Sequence, residues 1–108
     1  MPVLDTSVLI DKIRKNEEIL ENITEITVLE YPPVLKYPKF RGKIYYLKRQ
    51  DLKLALEIQI KLRKARIQKS VSDIFIASIC INRDEELITK DEDFKDISEI
   101  SGLKLRLL

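Results

Sequence analysis

The order of predicted secondary structure constrains the fold of this chain most, because short apolar runs alternate with segments of helical periodicity. Strands are predicted at residues 1–4, 23–29, 44–47, 87–89 and 103–108, and helices after Asp5, over 51–66 and from Asp73 onward. Parallel strands require crossover connections, which are usually helices. The alternation therefore predicts an α/β fold, a three-layer sandwich whose central, mainly parallel sheet has helices on both faces.

The segment 51–66 fits two kinds of secondary structure, and its composition decides between them. Apolar residues alternate from Leu52 to Leu62 as in a strand, whereas Leu54, Ile58 and Leu62 form a helical stripe. Sixteen residues is long for a strand, and the segment consists mainly of good helix formers. We therefore predict a helix here.

The length of 108 residues suits one small domain, which we expect to span residues 1–108. No apolar stretch approaches the roughly 20 residues that a membrane helix needs, so we expect a soluble, cytoplasmic protein without membrane contact. The single cysteine, Cys80, lies in the apolar run IASICI and is expected to belong to the core.

The absence of histidine limits the chemistry that the chain can perform. It excludes Ser-His-Asp and Cys-His catalytic devices, zinc bound by histidine, and acid/base catalysis by histidine. Any chemistry must therefore use carboxylates, lysines, hydroxyls or a bound metal.

Charge is distributed unevenly along the chain, although the net charge is only +2. Twelve lysines and arginines lie between Lys36 and Lys69, where the only acids are Asp51 and Glu57. A basic middle flanked by acidic segments is what a metal-dependent nuclease needs to attract a polyanion beside a carboxylate site. A solvated basic helix that only aids solubility explains the same pattern.

Three acids follow predicted strands, namely Asp5, Glu30 and, two residues beyond its strand, Asp91. Because the carboxyl ends of parallel strands point to one edge of a sheet, these side chains can converge there. Asp73, which opens a predicted buried helix, can join them. Carboxylates that face one cleft repel one another unless a cation neutralises them, and oxygen ligands favour Mg²⁺ or Mn²⁺.

Each acid also has an ordinary structural interpretation, which the spacing leaves open. Asp5 and Asp73 are suited to capping helices, and Asp91 and Asp93 are common turn residues. Glu30 is equally suited to an exposed surface.

Four sequence blocks resemble PIN-domain ribonucleases, and most of all the VapC toxins of VapBC toxin–antitoxin pairs. The blocks are LDTSVLID (4–11), TVLE (27–30), SDIFIASI (72–79) and LITKDEDF (87–94), which occur in the family order. The resemblance covers essentially the whole chain. It implies a parallel α/β sandwich, Mg²⁺ or Mn²⁺ at a carboxylate cluster, and hydrolysis of RNA phosphodiester bonds.

The resemblance also implies roles for individual residues. The positions that match the four catalytic acids of the family are Asp5, Glu30, Asp73 and Asp91. The metal ligands would be Asp5, Asp73, Asp91 and Asp93, while Glu30 would orient the attacking water or help to hold a second ion. Ser7 matches a small polar residue that supports the first acid, and Thr89 matches a hydroxyl near the last pair of acids.

The basic segment is expected to bind RNA, and the resemblance adds protein partners. The residues expected to contact phosphates are Lys48, Arg49, Lys61, Arg63, Lys64 and Arg66. Unpaired bases could stack on Tyr37, Phe40, Tyr45 or Tyr46, although such residues often serve only packing. The partners implied are an RNA substrate, a VapB-like antitoxin whose peptide crosses the active-site groove, and a second copy of the chain in a homodimer.

Two departures from the family pattern concern the surroundings of Glu30. The chain is short between its first helix and Glu30, and Pro32 and Pro33 follow where relatives usually continue a helix. Three alternatives remain open: a PIN nuclease that processes RNA without an antitoxin, a catalytically silent PIN module that binds RNA or protein, and a phosphoacceptor receiver domain. A receiver would need a pair of adjacent acids near its first strand, where only the isolated Asp5 stands.

Overall fold

A computed structural model describes all 108 residues and contains five strands, five α-helices and one 3₁₀ helix. The strands are β1 (Val3–Leu4), β2 (Ile23–Thr24), β3 (Ile44–Tyr45), β4 (Leu87–Thr89) and β5 (Leu105–Leu107). The helices are α1 (Thr6–Arg14), α2 (Glu25–Glu30), α3 (Arg49–Lys64), α4 (Val71–Asn82) and α5 (Phe94–Ser101), and the 3₁₀ helix covers Pro32–Lys36.

The five strands form one parallel arrangement in the order β3-β2-β1-β4-β5. Strand β4 pairs with β1 and β5, and β2 pairs with β3, each in parallel. A parallel bridge between Val3 and Asn22 joins the two groups, and Leu4 N donates to Asn22 O at 2.8 Å. Strand β1, which leads directly into Asp5, therefore lies at the centre of the sheet.

Apolar side chains cover both faces of this sheet, because successive residues of a strand point to opposite sides. Val3 and Leu87 pack into a core with α3, α4 and α5. Their neighbours Leu4 and Ile88 pack on the other face, against α1 and the 3₁₀ helix. The arrangement confirms the predicted α/β fold with a central parallel sheet between helical layers.

Helix α4 is apolar on nearly every side and lies in the middle of the larger core. It contributes Ile76, Ala77, Ile79 and Cys80 to that core, and Cys80 is fully buried, as the sequence predicts. Burial raises the pKa of the Cys80 thiol, which makes it a packing residue rather than a nucleophile. No helix in the structure is both long enough and apolar enough to span a membrane.

The structure corrects the prediction of a strand over residues 23–29. Only Ile23 and Thr24 are extended, and Glu25–Glu30 form α2. Thr24 caps this helix, because its hydroxyl accepts a hydrogen bond from Thr27 N at 3.3 Å. The run of β-branched residues fits a short helix here because α2 packs against α4 rather than extending the sheet.

The C-terminal region also differs from the sequence prediction. Helix α5 was not anticipated, although the spacing of Phe94 and Ile97 and the glycine at position 102 are helical signals. Gly102 ends the helix with φ 77°, a left-handed conformation that suits glycine. The last strand is accordingly limited to Leu105–Leu107.

Candidate metal centre

The sheet topology brings Asp5 and Asp91 to one edge, as the sequence predicts for acids that follow parallel strands. Asp5 immediately follows β1, and Asp91 lies two residues after the neighbouring strand β4. Asp73 comes to the same place from a different element, the first turn of α4, where its backbone N–H donates to the Ser70 hydroxyl at 3.1 Å.

Three carboxylates at this edge lie close enough together to share one cation. Oxygens of Asp73, Asp91 and Asp93 all lie within 4.8 Å of one another. The turn after β4 fixes two of them, because Asp93 N donates to Asp91 Oδ1 at 2.9 Å. Asp91 and Asp93 are exposed and Asp73 is half-buried, so the cluster opens to solvent.

Asp5 lies beside this group but is almost completely buried, with 7% of its surface exposed. Its two oxygens accept separate hydrogen bonds, one from Thr6 N at 2.8 Å and one from the Thr89 hydroxyl at 2.7 Å. Burial raises the pKa of Asp5 in spite of these bonds, and the negative charges of Glu30 and Asp91 raise it further. Asp5 is therefore within electrostatic range of both neighbours.

Asp73 combines partial burial with the proximity of other acids. Partial burial and the charges of Asp5, Asp91 and Glu30 raise its pKa from 3.8 to about 6. A carboxylate that resists ionisation next to three other acids is in an environment that a divalent cation would stabilise.

Glu30 lies at the end of a helix and not at the end of a strand, so the predicted strand end at this position is wrong. It is the last residue of α2. Its Oε1 accepts a hydrogen bond from the Thr6 hydroxyl at 2.7 Å, and Thr6 shares a second bond of 2.9 Å with the Thr27 hydroxyl. These threonines were not among the predicted site residues, although Thr6 and Thr27 belong to blocks that carry the family resemblance.

The two predicted supporting hydroxyls differ in their surroundings. Thr89 is fully buried, donates to Asp5 and accepts from Asp91 N at 3.0 Å. Ser7 is exposed, and its side chain makes no hydrogen bond within the chain. The hydrogen bonds to the first acid come from Thr6 and Thr89, so the role expected of Ser7 stays a prediction.

Lys69 is a contact of the acidic cluster that the sequence did not reveal. Its Nζ lies 2.9 Å from Asp96 and 3.4 Å from Asp93, and only 9% of its side chain is exposed. Its hydrogen bonds to Asp96 and Asp93 raise the pKa of Lys69 by more than burial lowers it, so the side chain stays cationic. Nothing in the sequence distinguishes this lysine from the other basic residues around it.

The predicted RNA-binding residues are all exposed, but they do not form one patch. Lys48 and Arg49 lie at the start of α3, and Lys61, Arg63 and Lys64 lie in its last turn, which places the two groups about 22 Å apart along the helix. Arg63 and Arg66 line an open cleft of about 480 Å³ together with Lys69. Lys69 connects this cleft to the acidic cluster, because it contacts Asp93 at 3.4 Å.

Three of the aromatic residues suggested for base stacking are engaged within the protein. Tyr37 and Phe40 pack against the smaller core, and Tyr45 packs against the larger one. The Tyr45 hydroxyl also donates to Glu85 at 2.9 Å. Of the four, Tyr46 is the most exposed, at 59%.

The donor set fits a hard divalent cation. Every candidate ligand is a carboxylate oxygen, and no histidine or thiol is present at this edge. The residues able to bind such an ion are Asp73, Asp91 and Asp93, with Asp5 beside them.

Solved structures of other proteins share the fold of this chain. The chain matches a chain of DNA-bound VapBC from Salmonella typhimurium with a TM-score of 0.79, at 18% identity and 98% coverage of both chains. A chain of VapBC2 from Rickettsia felis gives 0.77 at 18% identity, covering 97% of this chain and 96% of that one. A chain of FitAcB from Neisseria gonorrhoeae gives 0.70 at 15% identity, with the same coverage.

These TM-scores over nearly the full length of both chains establish a shared fold. No curated protein sequence shows a significant match to the chain. The model of the PIN domain family, in contrast, matches residues 3–100, nearly the full length of the sequence. The chain therefore belongs to the PIN domain family.

Proposed function

We propose that this protein is an endoribonuclease dependent on Mg²⁺ or Mn²⁺, and that it acts as the VapC-type toxin of a toxin–antitoxin pair. The observation that carries the proposal is the cluster of Asp73, Asp91 and Asp93 within 4.8 Å, with the buried Asp5 beside it. Membership of the PIN family and the fold shared with chains of VapBC complexes support it. Residues 1–108 would act as a single domain.

The four aspartates would hold the metal, and each contributes differently. Asp5 is held rigidly by two hydrogen bonds, whereas Asp91 and Asp93 are exposed to solvent. Asp73 would favour its ionised form in the presence of a cation, because a positive charge would offset the burial and the neighbouring negative charges that raise its pKa. The bound ion would lower the pKa of a water molecule and stabilise negative charge on the phosphoryl oxygens.

Glu30 is suited to orient the attacking water. Its carboxylate is exposed and is held at one oxygen by the Thr6 hydroxyl, which leaves the other oxygen free to accept from water. In the hydrolysis, the water oxygen forms a bond to phosphorus and the bond from phosphorus to one ester oxygen breaks, with a proton passing to the leaving oxygen. Arg63 and Arg66 would hold neighbouring phosphates in the cleft beside the cluster.

Cleavage of a single-stranded RNA by the purified protein tests the enzymatic proposal. We expect cleavage with Mg²⁺ or Mn²⁺, none in chelator, and none from the Asp5→Asn variant, whose folding should be retained. Full activity in chelator or in the variant would contradict the mechanism. Single-stranded DNA of the same sequence serves as the comparison for substrate class.

The toxin role requires a partner, and we extend the proposal to a VapB-like antitoxin. The matching chains come from VapBC and FitAB complexes, and the acidic cluster is open to a basic side chain of such a partner. Expression of the protein should arrest bacterial growth, and expression of Asp5→Asn should not. Rescue by a small DNA-binding protein encoded beside it would support the pair, and unimpaired growth with active enzyme would favour RNA processing without an antitoxin.

The homodimer that the resemblance implies is also part of the proposal. Leu52, Leu56 and Val71 are more than half exposed and line an apolar groove between α3 and α4 that a second copy could cover. Sedimentation analysis should give twice the monomer mass of 12.7 kDa. The Leu56→Glu variant should sediment as a monomer, and a monomeric wild-type protein would contradict this part of the proposal.

A further inference from the structure

Lys69 shares a carboxylate with the candidate metal centre. Asp93 belongs to the cluster whose oxygens lie within 4.8 Å, and the same side chain lies 3.4 Å from the Lys69 ammonium. Lys69 is in turn anchored by Asp96, at the shorter distance of 2.9 Å. Asp93 therefore stands between two positively charged positions, one provided by the chain and one to be filled by an ion.

The burial of Lys69 distinguishes its role from that of the other basic residues. Only 9% of its side chain is exposed, whereas Arg63 and Arg66, which line the same cleft, are exposed. Its ammonium points to two acids rather than to the solvent where a phosphate would lie. Under the proposed function the arginines would contact substrate directly, whereas Lys69 would act through Asp93.

We infer that Lys69 is a positioning residue that competes with the divalent cation for Asp93 and thereby limits the metal affinity of the site. This inference rests on the proposed metal-dependent function. A fixed ammonium beside Asp93 would repel a cation bound there, and it would also neutralise part of the charge that Asp93 offers. Asp96 also binds the ammonium and thereby weakens its interaction with Asp93.

The competition predicts that substitutions of Lys69 and of Asp96 change the affinity for Mn²⁺ in opposite directions. Lys69→Met removes the positive charge while keeping a long side chain, and the dissociation constant for Mn²⁺ should fall about tenfold. Asp96→Asn leaves Asp93 as the only anionic partner of Lys69, and Mn²⁺ binding should weaken severalfold. Lys69→Arg keeps the charge and should stay within twofold of the wild-type protein.

Lys95 offers a matched control close to the site. It pairs with Glu92 at 3.3 Å on an exposed surface and does not contact Asp93. Lys95→Met therefore removes one positive charge from the same region, and solvent screening should keep its effect on Mn²⁺ binding within twofold. Equal tightening by Lys95→Met and Lys69→Met would attribute the effect to net charge and overturn the inference.

Isothermal titration calorimetry of the metal-free protein with Mn²⁺ alone measures these constants without any substrate. Circular dichroism confirms that each variant is folded. Tighter binding by Lys69→Met together with weaker binding by Asp96→Asn supports the inference. Unchanged or weaker binding of Mn²⁺ by Lys69→Met overturns the inference but not the proposed function. A wild-type protein that binds no Mn²⁺ would instead overturn the proposed function on which the inference rests.

Discussion

The Thr89 hydroxyl donates a hydrogen bond to Asp5 Oδ2 at 2.7 Å. Both residues are buried, and the same hydroxyl accepts from Asp91 N at 3.0 Å. Thr89 on β4 therefore fixes both Asp5, which follows β1, and the turn after β4 that carries Asp91. This contact couples the two central strands to the geometry of the candidate metal centre.

Replacement of Thr89 by valine should destabilise the metal-free protein by about 1–3 kcal/mol, because it leaves a buried carboxylate oxygen without its donor. Thr89→Ser keeps the hydroxyl and should cost less. Urea unfolding in the presence of chelator measures both free energies. Equal stability of the two variants would show that the hydroxyl does not hold Asp5.

Removal of the Thr6 hydroxyl should impair RNA cleavage by about tenfold or more, because Glu30 then loses the hydrogen bond that fixes one of its oxygens. Ser7→Ala is the neighbouring comparison, since the Ser7 hydroxyl makes no hydrogen bond within the chain. Single-turnover cleavage rates of Thr6→Val and Ser7→Ala test the difference. A larger loss in Ser7→Ala would assign the supporting role to Ser7, as the family resemblance implies.

Asp73 should make the metal-free protein less stable as the pH rises from about 4 to about 6. Its pKa is raised from 3.8 to about 6 in the folded state, so the folded chain binds its proton more tightly than the unfolded chain does. The stability associated with this proton is present below pH 4 and is lost as the pH rises through 6. The melting temperature of Asp73→Asn relative to wild type should therefore increase over that interval.

Thermal melts in chelator from pH 4 to pH 7 provide this measurement. Glu99→Gln, an exposed carboxylate on α5, is the control and should show no comparable trend relative to wild type. A constant difference between Asp73→Asn and wild type across the interval would contradict the raised pKa of Asp73.

The ion pair between Asp51 and Arg83 should be essential for stability. Asp51 is fully buried at the start of α3 and accepts bonds from Lys48 N at 2.8 Å, Asn82 Nδ2 at 2.8 Å and Arg83 Nη1 at 2.5 Å. Burial opposes its ionisation, but these bonds outweigh burial and lower the pKa of Asp51. Arg83→Met would leave a buried carboxylate without its cation and should cost about 3–5 kcal/mol.

Lys104 provides the matched comparison for this loss. It pairs with Asp84 at 2.7 Å, but both side chains are largely exposed, so Lys104→Met should change stability little. Guanidinium unfolding of the two variants distinguishes a buried pair from a surface pair. Similar losses would contradict the importance of burial for the Asp51 contact.

The sequence predicts those parts of the site that depend on regular local structure. Asp5 and Asp91 follow short strands that pair in parallel, so their convergence follows from topology. Glu30 ends helix α2 and does not follow a strand as the pattern predicts, because a run of β-branched residues suits a strand until tertiary packing places it in a helix. The predicted helices after Asp5, over 51–66 and after Asp73 are confirmed by α1, α3 and α4.

Long-range contacts between loops were beyond prediction. The pairing of Lys69 with Asp93 and Asp96 depends on how the segment before α4 meets the start of α5, which no periodicity encodes. The separation of Lys48 and Arg49 from Arg63 and Arg66 follows from the length of α3, whose 16 residues place the two pairs near its opposite ends.

The central claim is that the acids at this edge of the sheet bind one divalent cation, and diffraction from crystals grown with Mn²⁺ tests it most directly. The account predicts an anomalous difference peak about 2.1 Å from carboxylate oxygens of Asp73 and Asp91, with Asp5 or Asp93 close by. Saturated crystals without a peak at this cluster would contradict it.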